Sequence, residues 1–197
     1  MPRIYVGASI GISKRSRRRS LIQAAISIIP AGISAFQRGC PYTHAFAVDD
    51  RDGATPENGG FAEDRMLVAE ATDPVFRLGP WMAKSGGLGG HTPGTPYDVW
   101  AIEATQDQHR RWWGALEGFR GIPYDVWGLL GFVTLSKGQD DAGAGRRLFC
   151  SESITLALKL AGVPAFNWRL MPANLASPWV LLSSPLFSAP PVYSANA

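Results

Sequence analysis

Cys150, His44 and Glu70 are the residues of this sequence whose types and surroundings could do chemistry. Cys150 stands in RRLFCSESITLAL, residues 146–158, with Arg146 and Arg147 upstream and Ser151, Glu152 and Ser153 downstream. Ala, Leu and Lys dominate residues 154–161, and Gly162 and Pro164 end the run, so a helix is expected with Cys150 in its first turn. Unpaired backbone N–H groups and the positive end of the helix dipole favour a thiolate there. That is a nucleophile's setting, although Cys150 taken alone reads more simply as a small hydrophobe buried under Leu148 and Phe149.

A cysteine nucleophile needs an imidazole to hold its proton and a polar group to orient that imidazole. Three histidines are present. His91 lies in a Gly- and Pro-rich loop and His109 in an Arg-rich helix, whereas His44 lies in THAFAV, residues 43–48, an expected strand. Alternation puts His44, Phe46 and Val48 on one face, where the ring could meet a helix N-terminus packed against the sheet. The other reading of His44 is a core histidine bonded to a backbone carbonyl. Glu70 sits in VAEAT among apolar neighbours that make an unpartnered carboxylate costly. On a strand beside that of His44 it could accept the second imidazole N–H. An edge-strand glutamate facing water is the alternative.

The elements that must position these residues can be read from pattern. IYVGASI, THAFAVDD, RMLVAEAT and YDVWAIEA read as strands. A helix is expected after the basic cluster Lys14, Arg15, Arg17, Arg18 and Arg19, and another over residues 106–119, ended by Gly121 and Pro123. A helical segment over residues 124–136, a flexible KGQDDAGAG loop and the Cys150 helix come next. FRLGPWMAKSGGLGGHTPGTP reads as a mixed segment with a mobile, glycine-rich loop. That GGLGG is no phosphate loop, lacking the following Lys and Ser or Thr. The SPWVLLSSPLF segment could dock on the body, and the last residues are expected to fray.

With 197 residues and 46% hydrophobic content, the chain can bury one sizeable core. Charged residues are only 18%, with 22 glycines and 15 prolines, so loops are expected without general disorder. The net charge of +3 names no partner. The basic cluster reads as a solvated helix face, so no nucleic-acid partner is expected. The stretch LIQAAISIIPAGISAF is interrupted by Gln23 and Pro30 and is too short to span a membrane. IYVGASIGI precedes the basic cluster instead of coming after it, so no signal peptide is expected. Cys40 and Cys150 are expected to be free thiols. Cys40 and His44 lie too far apart along a strand for one ion, and no further ligand is near in sequence, so neither a metal nor a cofactor is expected.

THAFAV, VAEA, GIPYDVWGLLGF, LFCSES and MPANLASP together resemble the successive motifs of the circularly permuted NlpC-type papain-like cysteine hydrolases, the YiiX-like group. The resemblance runs from about Ile12 to Pro178. Its most specific parts are Gly-x-Pro-Tyr-Asp at residues 121–125 and aromatic-Cys-Ser-Glu at residues 149–152. It implies an α+β, permuted papain-like fold in which an antiparallel sheet packs against helices and the nucleophile stands at a helix N-terminus. One such domain would span residues 1–178, with a C-terminal tail at 179–197. Cys150 is implied as nucleophile, His44 as base and Glu70 as the orienting member.

Thr43, before the histidine, conforms to the family pattern, whereas Phe149 stands where members often carry Tyr. Loss of that hydroxyl makes Tyr124 and Tyr42, with Thr43, candidates for substrate binding. The resemblance allows cell-wall peptide amides or acyl chains as substrates. An Arg-rich rim that could attract the carboxylates of wall peptides gives peptidoglycan the preference. Without a signal, a wall-directed enzyme would be made in the cytoplasm and delivered to the envelope, as in a phage or prophage protein with virion or tail partners. A non-catalytic structural or binding module is the reading from a different class.

Overall fold

Ala8, Ala45, Ala47, Ala69 and Ala71 are all fully buried and belong to one apolar cluster, and this run of small side chains lets a helix lie close against the strands that carry it. The computed structural model describes residues 1–10, 41–72, 74–82, 91, 93–125, 147–169, 171, 173 and 176–195. Its strands are β1 (Arg3–Ser9), β2 (His44–Val48), β3 (Leu67–Ala71), β4 (Phe76–Pro80), β5 (Tyr97–Glu103) and β6 (Tyr193–Ala195). They form one sheet ordered β4-β3-β2-β1-β5-β6, with every neighbouring pair antiparallel. The helices are α1 (Gln106–Gly118), α2 (Cys150–Leu160) and α3 (Pro178–Leu182), with a 3-10 turn after them at Pro185–Phe187. The class is α+β, and no described helix is long and apolar enough to cross a membrane.

Strand alternation separates two apolar layers. On the alanine face, Ile154, Ala157 and Leu158 of α2 and Trp112, Trp113 and Leu116 of α1 join Ile4, Val6 and Ile102 of the sheet in one cluster. On the other face, Tyr5, Phe46, Val48, Val68, Tyr97 and Val99 pack with Phe61, Met66 and Trp81. Gly7 pairs with Phe46 in the β1–β2 register. A Cβ on Gly7 would stand 2.2 Å from the Phe46 ring, so glycine is what lets that ring lie across β1. Thr105 caps α1 by a reciprocal capping box with Gln108.

One expectation is corrected. Residues 76–80, read as part of a mixed, mobile segment, form the edge strand β4 in register with β3. Gly79 and Pro80 hide it from propensity, yet Pro is tolerated at an edge. The C-terminal segment is held as far as Ala195, since Ser177 caps α3 and Tyr193–Ala195 pair with β5 from Tyr97 to Val99, while residues 196 and 197 lie outside the described residues. The basic cluster Lys14 to Arg19, the helix expected after it, Cys40, GGLGG, the continuation of the helical segment beyond Asp125 and the KGQDDAGAG loop lie outside the described residues.

Candidate active site

The two most specific sequence segments meet at the start of α2. Gly121, with φ of +81°, turns the chain after α1; its N–H donates to the Phe76 carbonyl at 2.9 Å, and Phe76 N–H donates to the Ile122 carbonyl at 2.8 Å. The segment then runs beside Leu148, which donates to the Pro123 carbonyl and accepts from Asp125 N–H, both at 3.0 Å. This ties β4 to the residues that lead into α2. Phe149 is extended and buried, and its N–H donates to Glu152 Oε2 at 3.2 Å, so Glu152 caps the first turn as its acidic type there predicts. Position 149 therefore packs inward. Cys150 is the first helical residue, where a backbone N–H has no carbonyl partner inside the helix.

His44 opens β2, and its ring is engaged on both sides. The Cys150 thiol is one polar neighbour, and thiol and ring shift each other's protonation. The ring's Nε2 lies 2.6 Å from Glu70 Oε2. The same carboxylate oxygen is 2.9 Å from His91 Nε2, and Arg77, directly across the β3–β4 pair from Glu70, bonds its other oxygen. Glu70 is 0% exposed, Cys150 3%, His91 7% and His44 8%, so the group works in a largely desolvated setting.

Burial alone would neutralise these groups. For His44 the hydrogen bonds to Cys150 and Glu70, with their charges, outweigh burial and push the imidazole up to about 10. Burial raises the Cys150 thiol, but His44 and the backbone groups of Ala45 and Ser151 bring it below its usual range. Glu70, likewise opposed by burial, is held well below the usual carboxylate range by His91 and His44. These directions favour alternating charges along the site, from thiolate at Cys150 through imidazolium at His44 to carboxylate at Glu70. His91 is pushed down, by burial first and by the cations of His44 and Arg77, against the pull of Glu70. Its Nδ1 is buried without a partner among the described residues, a position less costly for a lone pair than for an N–H.

The sequence matches no family model and no curated protein, so the chemistry rests on this geometry.

The structure brings Cys150, His44 and Glu70 together. Tyr42, two residues before His44, is half-buried; its hydroxyl donates to Asp98 and its ring meets Trp100 edge-on at 5.6 Å. Thr43 donates its N–H to the Ser9 carbonyl at 3.0 Å, extending the β1–β2 pairing. Tyr124 packs against the core on the helix side of the sheet and bridges Leu148 through its backbone. His109 belongs elsewhere, 3.1 Å from Asp50. Sequence reasoning missed His91 and Arg77. Alternation around β4 opposite Glu70 could have signalled Arg77, whereas a single histidine in a glycine-rich loop carries no periodic signal.

The donor set that could hold a metal is also one that sequence spacing did not suggest. One ligand atom each from His44, Glu70 and His91 lies within 4.8 Å of the others, a His2Glu set of the kind zinc accepts. Arg77 already neutralises Glu70, so a dication would add uncompensated charge to a buried site.

Proposed function

We propose that this chain is a thiol hydrolase of the permuted papain-like, YiiX-like type, cleaving amide bonds, with cell-wall peptides as the first substrate class. The observation that carries the reading is the His44 ring held between the Cys150 thiol and the Glu70 carboxylate, all three buried. The chain order of histidine, acid and cysteine, and the junction of the 121–125 segment with the residues before Cys150, fit the resemblance.

In the reaction the Cys150 thiolate attacks the substrate carbonyl carbon, forming a C–S bond and placing negative charge on oxygen. The Cys150 N–H faces that charge. Imidazolium His44 gives its proton to the leaving amine as the C–N bond breaks, leaving a thioester. Neutral His44 then takes a proton from water, whose oxygen attacks the thioester and expels the thiolate. Glu70 holds the ring orientation throughout and stabilises its charged form.

Incubation of the full chain with purified muropeptides, and separately with p-nitrophenyl acyl esters, tests the reading, with Cys150→Ala as control. New amino termini released from muropeptides by the wild type alone support the amide reading. Ester turnover alone moves the substrate to acyl chains, and turnover of neither with a normally reactive Cys150 favours a binding module.

A further inference from the structure

His91 is a titratable group in contact with this site that the mechanism leaves unused. It comes from outside the strands that carry His44 and Glu70, and it is fixed more firmly than a loop residue needs to be. Its ring stacks on Trp81 with centroids 3.6 Å apart and planes within 7°. Its N–H donates to the Trp81 carbonyl at 2.8 Å, and Trp81 N–H donates in turn to the Met66 carbonyl at 2.8 Å. The ring is thus clamped to the aromatic layer, with Nε2 aimed at the Glu70 oxygen that His44 also uses.

A carboxylate with His44 and Arg77 as its only partners could swing between them. We propose that His91 is a positioning residue: a neutral imidazole whose Nε2–H pins Glu70 Oε2 in register with His44 without adding a charge to the pocket. The inference rests on the hydrolase reading above and deepens it. Neutrality is a consequence of the surroundings. Glu70, His44 and Arg77 are the charged groups that face the ring, and with the Cys150 thiolate their charges already balance. A proton on the orphaned Nδ1 would be a buried donor with no acceptor among the described residues. The effect on sulfur is indirect: a correctly held Glu70 favours imidazolium His44, which favours the Cys150 thiolate.

Two substitutions separate positioning from packing. His91→Phe keeps a flat ring to stack on Trp81 and removes the donor; His91→Gln keeps a neutral donor at the same reach and loses the ring. Each full-length variant is checked for folding by thermal melting. The rate of Cys150 carbamidomethylation is then measured from pH 4 to 9, with the modified peptide identified by mass spectrometry. In His91→Phe the apparent thiol pKa is expected to rise by about one unit, cutting the labelling rate on the acid side about tenfold, while His91→Gln stays within about twofold of wild type. If His91→Phe does not fold, His91→Met, with the length of Gln and no donor, takes its place. A donor-less variant whose profile superimposes on that of a wild type with a low thiol pKa overturns the inference alone. An ordinary thiol profile in the wild type overturns the hydrolase reading itself.

Discussion

At the scale of single residues, the site depends on one carboxylate with three donors. Glu70→Gln preserves shape but removes the charge that His44 and Arg77 share, leaving Arg77 without its counter-ion beside a buried amide. Breaking a buried pair in this way costs roughly 3–5 kcal/mol. Urea unfolding should show that loss, and Cys150 labelling below pH 7 should fall with it; an unchanged midpoint would mean the pair is not formed in solution. His44 and Glu70 were legible in sequence because a lone histidine and a lone carboxylate on neighbouring apolar strands each demand a partner, and they find each other. His91 was not, because its contact depends on where a loop returns, and that is set by the stacking on Trp81. The bond from the Tyr42 hydroxyl to Asp98 was not legible either, because Asp98 lies two strands away in the sheet and no local pattern links them.

At the scale of elements, alternation made β1, β2, β3 and β5 readable, and caps and glycine stops made α1 and α2 readable. β4 was not, since its sequence FRLGP has poor strand propensity and its pairing with β3 decides the matter. Two substitutions test whether the elements are held as described. Gly7→Ala pushes a methyl group into the Phe46 ring and should cost about 1–3 kcal/mol in chemical denaturation, as overpacking does elsewhere. A neutral effect would show that the ring has room to move. Thr105→Ala removes half of the α1 capping box and should cost about 1 kcal/mol while leaving Cys150 labelling unchanged, because α1 supports α2 without touching the site. Altered labelling in that variant would contradict this separation.

At the scale of the whole molecule, the buried charges should be visible in the pH dependence of stability. His44, raised from 6.5 to about 10, contributes stability that is complete below about 6.5 and lost as pH rises through about 10. Cys150, lowered from 9.0, contributes stability that is complete above about 9 and lost as pH falls through its depressed value. Between about pH 6.5 and 9 the two contributions change in opposite senses, His44 losing stability and Cys150 gaining it as pH rises. Glu70, lowered from 4.5, adds a loss on the acid side, and His91, buried neutral, adds another below 6.5. Melting temperature should therefore fall above about pH 9, where the His44 loss continues alone, and fall on the acid side, where Cys150, Glu70 and His91 all lose stability; a continued rise toward pH 5 would contradict the ion pair. The most direct test of the central claim is the rate of Cys150 alkylation by iodoacetamide from pH 4 to 9, in the wild type and in His44→Ala. A buried thiolate-imidazolium pair predicts fast labelling already below pH 7 that collapses in the variant. Slow labelling that rises only near an ordinary thiol pKa in both proteins would make Cys150 a packing residue and end the hydrolase account.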